Sequence, residues 1–101
     1  MPKFTWDPRK AEGNRHKHRV TFEEAGTVFD DEDALEFAAT RHEELRIIRI
    51  GKSATKIILL VVYTLRGVVV RLISARPAGR DDRNLYLERK LKKQSDDHAD
   101  R

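Results

Sequence analysis

The chain has 101 residues, no cysteine and a formal net charge of +4. That length suits one domain with one modest core, and the missing cysteine excludes disulfides, thiolate metal sites and a thiol nucleophile. No apolar run approaches the roughly 20 residues of a membrane-spanning helix, so a soluble cytoplasmic protein is expected.

Phe4 and Trp6 alternate as in a short first strand. Asp7-Pro8 opens a helix, Asp as N-cap and Pro at the first helical position, and that helix should reach about His18. Thr21-x-x-Glu24 reads as a capping box for a second helix, with Val20 placed to pack on Ala25. Phe22, Ala25 and Phe29 form its apolar stripe, and Asp30-Asp31 ends it. Ala34 to Phe37 and Leu45 to Ile50 are expected strands, the second closing at Gly51. Lys56 to Thr64 is nearly all β-branched or leucine, as in a strand covered on both faces. Leu65-Arg66-Gly67 suits a hairpin turn into a strand from Val68 to Ala75. After Pro77 and Gly79 a last helix should run from Asp81 to about Lys93, with Leu87 and Leu91 on its apolar side. Trp6, Phe22 and Phe29 are expected in the core.

One domain over residues 1–94 and a disordered polar tail over 95–101 follow. The order β-α-α-β-β-β-β-α is α+β, a small antiparallel β-sheet flanked by helices. Helices on one face and a basic groove on the other would account for every segment.

The charge is unevenly spread. Residues 21–45 carry nine acidic groups against one basic, whereas residues 46–76 carry seven basic groups and no acidic one. The second block is an anion-binding surface on a sheet, with RNA the favoured anion; neutralisation of the acidic segment by the basic sheet is the other reading. Its most informative part is Arg71-Leu72-Ile73-Ser74-Ala75-Arg76. An arginine within an apolar strand needs a partner or a ligand, and its planar donor fork suits phosphate.

Several motifs together resemble the BrnT toxin family. The opening is Phe4-Thr5-Trp6-Asp7-Pro8-Arg9-Lys10-Ala11, followed by Asn14, Lys17-His18 and Val20-Thr21-Phe22-Glu23-Glu24-Ala25. Val28-Phe29-Asp30-Asp31, Arg46 ahead of Gly51, Val61-Val62-Tyr63-Thr64, the Arg71–Arg76 strand, Ala78, Arg80 and Tyr86 continue it over residues 4–88. The resemblance implies a RelE-like fold and an endoribonuclease toxin of a type II toxin–antitoxin pair that cleaves RNA without metal or cofactor and inhibits translation. It implies a BrnA-type antitoxin as partner, operator DNA engaged only indirectly through that antitoxin, and a toxin dimer or toxin–antitoxin heterotetramer. Arg19 stands where the family usually has Gly, Asp82 where it has Glu, and Pro77 where it has Lys.

Metal-free RNA cleavage needs a base for the 2′-hydroxyl, cations for the phosphorane-like transition state and an acid for the leaving 5′-oxygen. His18 is the natural acid or base. A cation beside an imidazole favours its neutral form, and Lys17 precedes His18. His18 could equally complete the inward stripe of Ala11 and Asn14. Arg71 and Arg76 are five positions apart, so a regular strand would point them to opposite sides; a bulge or strand end near Ala75 would bring them together. Arg71 could instead pair with the acidic second helix, and Arg46 could share the groove or be a solvated cross-strand charge. Tyr86, flanked by Arg83 and Lys90 at helical spacing, reads as a group on a polar face able to stack on a base or donate a proton. Arg80 and Arg83 add expected substrate phosphate contacts. A non-catalytic RNA- or DNA-binding module using the same basic sheet is the alternative function.

Overall fold

The computed structural model describes residues 2–99. They form β1 (Lys3–Thr5), α1 (Pro8–His18), α2 (Phe22–Gly26), a 3-10 turn (Thr27–Asp30), β2 (Leu35–Arg41), β3 (Glu44–Lys52), β4 (Ile58–Arg66), β5 (Val69–Pro77) and α3 (Arg80–Ala99). Asp7 caps α1 by accepting from the Arg9 N–H at 2.8 Å, with Pro8 in the first turn. The helix ends on Arg19, held in the left-handed region at φ 59°, its N–H closing on the Arg15 carbonyl at 2.8 Å. A side chain with a Cβ costs roughly 1–2 kcal/mol there, so the strain is borne rather than avoided. Thr21 Oγ1 accepts from the Glu24 N–H at 3.0 Å. The Glu24 carboxylate turns to the Ser53 and Thr55 hydroxyls instead of back to the cap, so half of the capping box forms.

The sheet has the order β1-β5-β4-β3-β2. β2 to β5 form an antiparallel meander, and β1 joins β5 in parallel. β2 extends to Arg41, beyond the expected end at Phe37. It turns into β3 through His42 and Glu43, both at positive φ (53° and 63°). Such a two-residue turn normally announces itself as Asn-Gly or Asp-Gly.

One face of the sheet carries the larger core. Val20, Phe22, Ala25 and Val28 pack there on Leu59, Val61, Tyr63, Val70, Leu72 and Ala75. Trp6 meets Phe22 edge-on at 5.9 Å, and Phe29 meets Tyr63 at 4.9 Å, so of the three expected core aromatics Phe22 is fully buried in the core and Trp6 and Phe29 pack partly buried against it. Gly51 is needed here, because a Cβ would stand 3.1 Å from Ala34 Cβ and 3.3 Å from Val28 Cβ.

The other face is not bare, which corrects the expectation of helices on one side only. α3 crosses it, packing Ala78 and Tyr86 on Leu35 and Ile50. The rotation of α3 is a second correction: Leu87 and Leu91 are exposed, and Asp82, Tyr86 and Lys90 form the inward line. A tyrosine buries more apolar surface than a leucine, provided its hydroxyl finds a partner. It does, at Asp31 Oδ2, 2.6 Å away. α3 continues past Lys93 to Ala99; residues 100 and 101 of the expected tail lie outside the described residues.

Candidate nucleic-acid interface

The site is set by one extra residue in β5. Val62 pairs with Ser74 and Tyr63 with Leu72, leaving Ile73 as a bulge. Leu60 is opposite Arg76 and Thr64 is opposite Arg71. Leu60 and Thr64 are an even number apart on β4 and share a face, so Arg71 and Arg76 share it too. This is the face that α3 covers only at its lower end. By the same alternation Arg46, with Ile48 and Ile50, points to that side. β3 and β5 flank β4, which sets Arg46 and Arg71 roughly 10 Å apart at their Cα atoms, and Arg71 about 13 Å from Arg76.

The three arginines differ in their partners. Among the described residues Arg71 makes no ion pair or side-chain hydrogen bond. Arg76 has a long contact to Asp82, 3.9 Å, and donates to the Pro77 carbonyl at 3.3 Å. Arg46 Nε is buried and lies 3.5 Å from Glu44 Oε1, a contact that does not form a hydrogen bond. A buried donor without an acceptor is uncommon in a folded protein and calls for a ligand or water. Arg80 pairs with Asp81 at 3.3 Å on the exposed start of α3. Arg83 is exposed one turn later, on the wall of a cleft with Pro77 and Ala78.

α1, which carries Lys17 and His18, meets the sheet at the β5 edge. β1 covers β5 only from Val69 to Arg71. Beyond it, Asn14 of α1 takes the place of a strand. Its Nδ2 donates to the Ala75 carbonyl at 2.8 Å, and its Oδ1 accepts from the Ala75 N–H at 3.0 Å. Nδ2 also reaches the Val20 carbonyl at 3.1 Å. His18 is one turn further on the same side of α1 and half-buried. Lys17 is exposed. Neither makes a side-chain hydrogen bond among the described residues.

Tyr86 lies on the covered part of this face, not its open part. It is fully buried under α3, and burial, reinforced by the Asp31 carboxylate, pushes its hydroxyl well above the usual phenol range. Stacking on a base and proton donation to RNA are therefore both removed from the expectation; the flanking Arg83 and Lys90 look polar, but the residue between them points inward.

Arg49, which the sequence pattern does not mark out, is held in a structural pairing like the one considered for Arg71, but with Glu36 of β2 and the carbonyls of the 3-10 turn rather than with the second helix. Its guanidinium donates to the Val28 and Asp31 carbonyls, each at 3.0 Å, and to Glu36 at 3.0 Å. It also lies 4.9 Å over the Phe29 ring. It thus closes the C-terminal end of the 3-10 turn. Tyr63 donates to the same Glu36, and burial followed by that carboxylate raises its hydroxyl far above the phenol range. Only the alternation of β3 separates Arg49 from Arg46, and the pairing partners needed to assign the faces lie far away in sequence. Among the described residues no three metal-ligating side chains gather in one group.

A family model described as the ribonuclease toxin BrnT of type II toxin–antitoxin systems matches residues 6–82. The chain belongs to the BrnT family. It is similar to the ribonuclease toxin BrnT of Brucella abortus, known from a crystal structure, with 26% identity and a TM-score of 0.63. The similarity covers 79% of this chain and 100% of that one. No curated protein matches. As a BrnT ribonuclease toxin of a type II system it has RNA as substrate and an antitoxin protein as partner. The matched residues include the bulged strand and end at Asp82, before most of α3. No described helix is long and apolar enough to cross a membrane.

Proposed function

We propose that the face bearing Arg46, Arg71 and Arg76 holds the RNA backbone and that His18 is the base. The observation that carries this reading is the Ile73 bulge, which turns Arg71 and Arg76 to one open side. His18 would take the proton of a 2′-hydroxyl, whose oxygen attacks the adjacent phosphorus. The 5′-oxygen leaves and takes a proton from water, giving a 2′,3′-cyclic phosphate. Arg71 and Arg46, from the two strands flanking β4, would meet the charge that builds on the phosphoryl oxygens, while Arg76, Arg80 and Arg83 track the flanking phosphates. The reaction needs no metal, because the nucleophile is part of the substrate. Lys17 adds positive charge at the edge. In this reading cleavage stops translation in the cytoplasm until a BrnA-type antitoxin covers the face. Two toxins bridged by two antitoxins, with operator DNA held only by the antitoxin, complete it.

The test is cleavage of a labelled RNA in EDTA by the unmutated chain and by Arg71→Ala, Arg76→Ala and His18→Ala. Loss of one transition-state donor should lower kcat about 10²–10³-fold, and loss of the base about 10²–10⁴-fold. RNA binding without cleavage by the unmutated chain would support the binding-module alternative instead.

A further inference from the structure

β2 is the outer strand of the sheet, and among the described residues it pairs only with β3. Proteins usually blunt such an edge with proline, a bulge, a charge or shortness. β2 has seven residues, no proline, and an unbroken register with β3. Its Glu36 is engaged on the opposite face by Arg49 and Tyr63, and its Arg41 stands at the far end beside the turn.

A groove runs beside this edge. Leu35 and Phe37 of β2 and Leu85, Glu88, Arg89 and Lys92 of α3 line a cavity of about 320 Å³. The four α3 residues follow i, i+3, i+4, i+7 and form one stripe turned toward the strand. Phe37 is 43% and Leu85 42% exposed. Lys93 Nζ reaches Asp33, just ahead of β2, at 3.4 Å, and α3 continues to Ala99. The helix therefore overhangs the edge where a further strand would lie. Arg89 and Lys92 are exposed and make no ion pair among the described residues.

We infer that this edge and groove receive an extended, acidic and apolar segment of a partner protein, added to the sheet as a sixth strand. Main-chain hydrogen bonds to β2 supply affinity, and alternate apolar side chains fill the space between Phe37 and Leu85. Carboxylates of the segment meet Arg89 and Lys92. A second copy of the chain is a poor occupant. An antiparallel β2–β2 pair centred on Ala38 would set Arg41 of one copy opposite Leu35 of the other, beneath its Arg89 and Lys92, with like charges facing. The groove shares no residue with the proposed RNA contacts, so the two readings can fail separately.

The probes are two labelled nonapeptides, one alternating valine with glutamate and one with lysine in place of glutamate. Binding to the full chain is read by fluorescence anisotropy, and the docking position by amide hydrogen exchange. The acidic peptide should bind and slow exchange along Leu35–Arg41. The double variant Arg89→Glu, Lys92→Glu should weaken it at least tenfold with an unchanged Tm, and should gain affinity for the basic peptide. RNA cleavage should be unchanged in that variant, whereas Arg76→Ala should lose cleavage and keep peptide binding. No binding by the acidic peptide, binding without protection of β2, or binding indifferent to the double variant would each overturn the inference. A dimer in light scattering that Phe37→Glu dissolves would overturn it in favour of a second copy.

Discussion

The Tyr86 hydroxyl and the Lys52 N–H share one oxygen of Asp31, at 2.6 and 2.8 Å, while the Asp33 N–H binds the other at 3.0 Å. Burial alone would raise the Asp31 carboxyl; the hydrogen bonds from Lys52, Tyr86 and Asp33, with the Lys90 charge, outweigh it and hold the group below its usual range. A carboxyl depressed in the folded state stabilises the fold above its unfolded pKa of about 3.9, and that contribution is lost as pH falls through the lower folded value. Urea titrations should therefore show stability falling below about pH 4, less steeply in Asp31→Asn. Tyr86→Phe should cost about 1.5–3 kcal/mol in the same titration, the range for a bond to a charged group, and leave cleavage per folded molecule unchanged. A drop in cleavage at unchanged stability would instead return Tyr86 to the chemistry. None of this was legible locally, because the carboxylate that draws Tyr86 inward is 55 positions away. At Arg19, where the family usually has the glycine of a left-handed cap, the cost of an arginine there points to a locally different turn; the structure keeps the left-handed cap. Arg19→Gly should gain about 0.5–1 kcal/mol, part of the relieved strain being offset by a more flexible unfolded chain. Thermal unfolding would show this as a Tm higher by a few degrees.

At the scale of elements, the order of strands and helices followed from capping residues and apolar periodicity, and the structure agrees with it. Two features did not follow: the bulge in β5 and the length of the β2–β3 hairpin. A bulge is defined by which residues pair across strands, and no local signal marks Ile73 as the residue without a partner. The β2–β3 hairpin is longer than the sequence pattern predicts, because His42-Glu43 lacks the glycine or asparagine that positive φ favours and so carries no turn signal. Replacing the pair with Asn-Gly should stabilise the hairpin by about 1 kcal/mol, read as a rise in Tm of about 4–8 °C. Asn14 is a case between the two. Its place in the opening motif was noted, but not its task of closing the bare edge of β5. Asn14→Ala would strip both backbone groups of Ala75 of their partner, at a cost of about 1–3 kcal/mol for each group left buried. It should also lower cleavage in the fraction that stays folded, since the helix turn carrying His18 is no longer clamped. Equal losses in Asn14→Ala and in a neutral surface variant such as Glu12→Ala would sink that link.

Across the whole molecule the two readings of the charge pattern each hold for part of it. The acidic segment is met by neighbours at the lower end of the sheet, where Lys93 pairs with Asp33 and Arg49 with Glu36. On the face that holds Arg46, Arg71 and Arg76 the basic block is met only by the longer contacts of Arg46 to Glu44 and Arg76 to Asp82, and Arg71 has no acidic partner among the described residues. Composition cannot make this division, since Arg46 and Arg49 are three positions apart in one strand and serve opposite faces. Salt dependence can. Each phosphate neutralised on a single strand should contribute about −0.7 to the slope of log K against log salt concentration. With three to five contacts the unmutated chain should give a slope of roughly −2 to −3.5 for single-stranded RNA. Arg71→Ala and Arg76→Ala should each flatten it by about 0.7. Arg49→Ala should leave the slope alone and cost several kcal/mol of stability instead, because Glu36 and two carbonyls lose a charged donor together. If Arg49→Ala flattens the slope and Arg71→Ala does not, the RNA lies on the other face and the assignment built on the Ile73 bulge is wrong.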